Sequence, residues 1–286
     1  MDKRLMEVVV CPACHGELRY SSESDSRRLI SGEFGCAGCG LVFPVVDEIP
    51  VLVVPGTDMD GAFRKEDEDI EKQMAEWVRR NFDAVRRREL SLVEQDFVNA
   101  VRTVEGPVVD IASGPGGSYC VPMMEHGGSD GLFVMSDLGE PVMHAWREHL
   151  REVGWADRCS LMVFDARRMP FRSESIPVVT SAVGLENIPM NRPAYEEIAR
   201  VLRPGGRLLQ VIKLYEEGGA SQRAMRELGD AATGTWCGYE GLLRDLGLTI
   251  ERWEPVWAGC GKSDPTDLLP QDDEAWEIRM VYAVRS

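Results

Sequence analysis

Four cysteines stand in two close pairs, Cys11-Pro-Ala-Cys14 and Cys36-Ala-Gly-Cys39. Two residues between thiols let both point at one ion from a tight turn, and two such turns brought together offer four thiolates. A glycine follows each pair, Gly16 and Gly40, where such a turn favours a positive φ. Tetrahedral sulfur suits zinc, and four protein ligands leave no open coordination position, so the expected metal is structural. The 21 residues between the pairs slightly exceed the usual ribbon spacing. They hold an expected hairpin, with strands at 17–20 and 28–30 around a polar tip. His15 adjoins a ligand and is expected at the surface. The remaining cysteines, Cys120, Cys159, Cys237 and Cys260, are scattered and read as packing residues.

A second set of residues pairs glycines with carboxylates. The apolar run 108–112, which contains Asp110 and Ala112, reads as a buried strand and passes into Ser113-Gly114-Pro115-Gly116-Gly117, with a helix following to about 125. Glycines let the backbone approach a ligand, and the amides of the following helix face it. A second strand at 132–136 ends in Asp137, which lies 27 positions after Asp110, about where a ribose-binding carboxylate belongs. A third strand at 161–164 ends in Asp165-Ala166. A helix at 141–153 separates the second and third strands. A fourth strand at 176–181, a helix at 193–202, an Arg203-Pro-Gly-Gly206 turn and a fifth strand at 207–212 follow. The chain closes with a helix at 241–246 and two strands at 248–256 and 278–284, around a stretch rich in Gly, Pro and Asp. A stretch that long either shapes a pocket or is a surface loop. The glycine turn alone is shared with dinucleotide-binding folds.

These motifs resemble two known families. The segment from Val8 to Val53 is similar to the small zinc-ribbon proteins that activate tRNA and protein methyltransferases, down to the Phe43-Pro-Val-Val-Asp-Glu-Ile-Pro tail. Glu48 takes the place of that tail's usual glycine. In that family the ribbon binds a partner methyltransferase. From Val108 to the C-terminus the chain resembles class I S-adenosylmethionine-dependent methyltransferases, especially the quinone-biosynthesis C-methyltransferase group. Residues 108–117 match the first motif, with Ala112 for a common glycine. Phe164-Asp165-Ala166 with Met169-Pro170-Phe171 matches the adenine-contacting motif, and 195–209 matches closely around Arg203-Pro-Gly-Gly206. The chain departs from the family at Ile176-Pro177, where an aromatic-Asp pair is usual, and at Glu186-Asn187, where many relatives have two histidines.

The resemblance implies an α/β fold: a doubly wound, mostly parallel seven-stranded sheet with a reversed last strand, preceded by a small zinc-ribbon β domain. The implied cofactor is S-adenosylmethionine. Ser113, Gly114 and Gly116 would pass under its amino-acid part, with Asp110 supporting that loop beside Ala112. Asp137, with Leu138 next to it, would hold the ribose hydroxyls. Asp165 would accept from the adenine amine and Ala166 would donate a backbone N–H to the ring. Glu186 is the candidate base or amine-binding group, and Asn187 a candidate hydrogen-bond partner of the acceptor. The expected reaction is methyl transfer to a small-molecule acceptor. Three other readings are an rRNA or tRNA methyltransferase, an arsenite methyltransferase using the scattered thiols, and a non-catalytic cofactor-binding partner protein.

The elements in between give the organisation: a ribbon at 1–55, a linker with helices at 56–104, and the methyltransferase-like domain at 105–286. Residues 55–61 look like an exposed linker. Ile70, Met74, Trp77, Phe82, Val85, Leu90, Val93, Phe97 and Val101 then recur at helical spacing and read as one core-facing stripe. In methyltransferases such helices also cover the cofactor. Ser91 with Glu94 reads as a capping box. The acidic stretch at 66–69 and the arginines at 79–88 read as a solvated mixed-charge helix. The formal net charge of −16 repels phosphate backbones and points away from nucleic acid. No apolar run approaches the roughly 20 residues of a membrane span. The short apolar stretch before Cys11 is too brief for a signal peptide, so the expected location is the cytoplasm.

Overall fold

The computed structural model describes residues 1–21, 26–59, 69–127, 132–227, 233–262, 269–271 and 273–286. The ribbon consists of β1 (Leu18–Tyr20), β2 (Gly32–Cys36), β3 (Val42–Val46) and β4 (Ile49–Leu52), paired antiparallel in that order. The second hairpin strand lies at 32–36 rather than at the expected 28–30: Leu29 is buried and Arg28 is drawn into an ion pair with Glu48. The hairpin tip at 22–25 is outside the described residues. Phe43 and Val45 of β3 face inward while Val42 and Val46 are exposed, the period of two expected of a half-buried strand. Asp47 and Glu48 turn the chain from β3 to β4, both with positive φ (52° and 69°), as a tight two-residue hairpin requires.

Two helices follow, α1 (Ile70–Arg86) and α2 (Leu92–Arg102). The start of the charged stretch, 66–68, is outside the described residues. The buried stripe of α1 is Ile70, Met74, Val78, Phe82 and Val85. Trp77, expected in that stripe, lies on the flank of the helix instead and is 39% exposed. Phe82 meets the rings of Trp146, His149 and Trp155 edge-on, which anchors α1 to the body of the protein. The Ser91–Glu94 capping box is present in both directions and starts α2.

The α/β part runs β5 (Val108–Asp110), α3 (Cys120–His126), β6 (Phe133–Asp137), α4 (Glu140–Glu152), β7 (Ser160–Phe164), β8 (Ile176–Ala182), α5 (Arg192–Val201) and β9 (Leu202–Tyr215). It ends with α6 (Ala220–Glu227), α7 (Trp236–Asp245), β10 (Leu248–Cys260) and β11 (Ala275–Arg285). β5 to β9 pair in parallel, and β11 inserts antiparallel between β9 and β10. One apolar cluster holds α1 to α4 against one face of the sheet, and another holds α5 and α7 against the opposite face. This is the doubly wound, Rossmann-like arrangement with a reversed strand near one edge.

The sheet has eleven strands, not seven, in the order β1-β2-β3-β4-β7-β6-β5-β8-β9-β11-β10. The expected seven run from β7 to β10. The other four are the ribbon, joined through parallel pairing of Val51 with Val163 and Leu52 with Phe164. Without β4, β7 would be an edge with unpaired backbone groups, so the ribbon closes that edge. The join is also apolar: Leu5, Phe34, Phe43 and Leu52 belong to one buried cluster with Phe164 and Phe171. The C-terminal strands are longer than expected and shorten the stretch between them to 261–274, of which 263–268 and 272 are outside the described residues. Among the described residues, no helix is long and apolar enough to cross a membrane.

Candidate active site and metal centre

The ends of β5, β6, β7 and β8 surround a cavity of about 720 Å³. Its floor is the loop after β5. Ala112 adopts a left-handed conformation (φ 51°), and Gly184 after β8 packs directly against it. A Cβ on Gly184 would lie 2.4 Å from the Ala112 carbonyl oxygen, so this close approach requires glycine. Trp146 donates its indole N–H to the Gly114 carbonyl (2.9 Å), and Asn81 of α1 donates to that of Pro115 (3.1 Å).

Three carboxylates were expected here, and they occupy different positions. Asp110 is buried behind the loop and does not line the cavity. It accepts from Ser113 Oγ (2.6 Å), Thr180 Oγ1 (2.6 Å) and Cys120 Sγ (3.1 Å), tying together the loop, β8 and α3. Burial pushes its carboxyl pKa up, against those donors. Asp137 lines the cavity, accepting from the backbone N–H of Gly114 (3.0 Å) and of Gly139 (2.8 Å), the residue before α4. Burial raises its pKa, and the backbone donors oppose the shift. Asp165 also lines the cavity and caps the short turn Ala166–Arg168, with Arg167 closing an ion pair on it (2.9 Å). Arg167 reaches on to the Asp58 carbonyl in the linker (2.9 Å). Ala112, Ser113, Gly114, Gly116, Leu138 and Ala166 all contribute to the wall.

The far side of the cavity is Ala182, Val183, Asn187, Ile188 and Pro189, covered by Trp77 and Arg80 of α1. Of the two residues expected there, Asn187 reaches the wall and Glu186 does not. Glu186 Oε1 accepts from the Lys213 backbone N–H (2.9 Å), while Oε2 is buried with no partner among the described residues. Burial raises the Glu186 pKa to about 7. Trp77, Arg80 and Asn81 were not singled out by the sequence as wall residues. The signal was the spacing itself: once Met74, Val78 and Phe82 take the core, Trp77 and Asn81 share the adjacent flank. None of Cys120, Cys159, Cys237 and Cys260 is among the described residues of the wall.

Within the ribbon the four thiols converge. Cys11 and Cys39 sulfurs lie 3.6 Å apart, Cys14 and Cys36 sulfurs 3.5 Å apart, and all four within 4.8 Å of one another. Four bonds of about 2.3 Å in a tetrahedron need sulfur separations of about 3.8 Å, so the thiols fit a zinc ion. The first turn is built differently from expectation. His15, exposed, carries the positive φ (56°), and Gly16 supplies room instead, since a Cβ there would sit 3.3 Å from Cys14 Sγ. In the second turn Gly40 has the expected positive φ (76°).

Two family models match separate segments of the chain. Residues 109–210 match the family model described as a methyltransferase domain, and residues 2–48 match that of Trm112p-like proteins. The N-terminal segment is thus similar to Trm112p-like proteins, and the segment from 109 to 210 to a methyltransferase domain. The ubiquinone/menaquinone biosynthesis C-methyltransferase UbiE of Pseudomonas fluorescens is 35% identical over 102 residues, which are 36% of this chain and 40% of that protein. The UbiE of Hahella chejuensis is 34% identical over 102 residues, 36% of this chain and 41% of that protein. The chain thus matches about two fifths of the length of these curated relatives. Among solved structures, geranyl diphosphate C-methyltransferase of Streptomyces coelicolor superposes with a TM-score of 0.52 at 15% identity, covering 78% of this chain and 86% of that one. The [4+2]-cyclase SpnF superposes with a TM-score of 0.51 at 15% identity, covering 74% and 94%. The fold is therefore shared between a methyltransferase and a cyclase, and the reaction has to be argued from the site.

Proposed function

We propose that the protein transfers a methyl group from S-adenosylmethionine to a small-molecule acceptor. The observation that carries this reading is the cavity, in which the glycine loop, Asp137 and the Asp165-Ala166 turn line one continuous wall. The residues fit the cofactor end to end. Asp137 accepts from the ribose hydroxyls, Asp165 and Ala166 meet the adenine edge, and the loop from Ser113 to Gly116 passes beside the amino-acid part. Arg80, on the flank that also places Asn81 against Pro115, suits the amino-acid carboxylate. The cofactor would supply an electrophilic methyl on sulfur; the protein contributes orientation and a partly apolar wall. Asn187 and Trp77 border the space left for the acceptor. Glu186 anchors the β9 backbone at Lys213 and acts on the acceptor wall indirectly, through the turn that carries Asn187. A volume of about 720 Å³ suits a cofactor with a small molecule beside it.

The test is calorimetric titration of the purified chain with S-adenosylmethionine, S-adenosylhomocysteine and a nicotinamide dinucleotide. The first two bind at one per chain and the third does not. Binding of the nicotinamide compound alone overturns the reading.

A further inference from the structure

The β3–β4 turn places Glu48 in the left-handed region (φ 69°), which side chains other than glycine disfavour. The ribbon family's own tail usually has glycine there. In this chain the carboxylate is instead the hub of an arginine cluster. It receives Arg28 Nε (2.6 Å), Arg147 Nη2 (2.8 Å) and Arg151 Nη2 (3.2 Å), while Asp47 takes Arg151 as well (2.7 Å). Arg147 and Arg151 belong to α4, and the Arg147 side chain is 1% exposed. Arg147 Nε and Nη1 have no partner among the described residues, so Glu48 is the one acid shown to compensate a fully buried guanidinium.

What Glu48 holds leads directly to the cavity. β4 starts one residue later, and its Leu52 pairs with Phe164, the wall residue before Asp165. The ribbon grips the far end of the same segment too: Val10 N–H donates to the Pro170 carbonyl (2.9 Å) and Arg172 N–H to that of Val8 (2.8 Å). The stretch 165–171 is thus suspended between two ribbon attachments.

We propose that Glu48 is a positioning residue for cofactor binding: it clamps the ribbon to α4, and through the β4–β7 pairing the clamp sets the Phe164–Asp165 wall. This rests on the reading of the cavity as a cofactor site.

The test uses the full chain, with S-adenosylhomocysteine affinity, melting temperature and zinc content measured together. Glu48→Gly relieves the turn but removes the clamp, so the two roles predict opposite signs. A residue that mattered only to the turn would leave affinity unchanged or improved. The clamp predicts affinity weakened about fivefold or more with zinc retained. Glu48→Gly with Arg147→Met removes the orphaned buried charge as well; its melting temperature recovers while its affinity stays weak. If Glu48→Gly does not fold, Glu48→Gln keeps the turn as it is and removes only the charge: the clamp predicts weakened affinity and a turn-only role predicts unchanged affinity. Unchanged affinity in these variants overturns the clamp, as does an affinity loss that vanishes once the melting temperature is restored. Failure of the wild type to bind the ligand would instead strike the cofactor reading.

Discussion

Asp137 is the point at which the cofactor reading is most exposed to test. Its carboxylate lines the cavity, and in the structure it also accepts from the Gly114 and Gly139 backbone N–H groups at 3.0 and 2.8 Å. Asp137→Ala therefore has two consequences. Loss of the ribose contact removes charge-assisted hydrogen bonds worth about 1.5–3 kcal/mol, which is roughly tenfold to a hundredfold in Kd for S-adenosylhomocysteine. Loss of the two internal acceptor contacts frees the glycine loop and the start of α4, and lowers stability by about 2–3 kcal/mol. Asp137→Asn keeps one acceptor oxygen and costs less on both counts. Calorimetry at a temperature where each variant is folded, together with thermal melts, separates the two effects. Equal affinity of wild type and Asp137→Ala would refute the ribose assignment, whatever the melts show.

Further outcomes follow from other parts of the structure. Metal analysis finds one zinc per chain in the wild type, and Cys36→Ser loses it; because the ribbon shares a core and a sheet with the rest, the whole protein then melts at lower temperature, not the ribbon alone. No zinc in either protein, with equal stability, would contradict the metal site. The Glu186 pKa is raised to about 7 from an ordinary 4.5, so the folded state holds a proton that the unfolded state releases between these values. Stability therefore falls as pH rises from about 4.5 to 7, and Glu186→Gln flattens that part of the profile in chemical denaturation. An unchanged profile would show that the buried carboxyl does not carry it. RNA binding at physiological ionic strength is expected to be weak for a chain of net charge −16, and tight, salt-sensitive binding in a filter assay would move the acceptor toward nucleic acid.

The paired cysteines, the β5 loop and the two carboxylates ending β6 and β7 were legible because each is a local device, with ligand spacing or strand-end position written in a few consecutive residues. The relation between ribbon and sheet was not. Ile49–Leu52 reads as a strand, but nothing local states that its free edge pairs with β7 rather than with solvent or another chain. The same limit applies to Trp77, which fits a helical stripe on spacing, while the next residue, Val78, is the one buried. Glu186 was placed at the right end of the sheet, but its side-chain direction depends on the Lys213 backbone, 27 residues away. Glu48 was visible as a departure from a glycine, and its meaning required Arg28 and α4 in space.

A crystal structure of the chain with S-adenosylhomocysteine would show whether the cavity above β5 to β8 is an S-adenosylmethionine site. The expected complex has the ribose hydroxyls on the Asp137 carboxylate, the adenine beside Asp165 and Ala166, and the amino-acid end over the loop from Ser113 to Gly116. Ligand bound elsewhere, or in this cavity with its ribose away from Asp137, would contradict it.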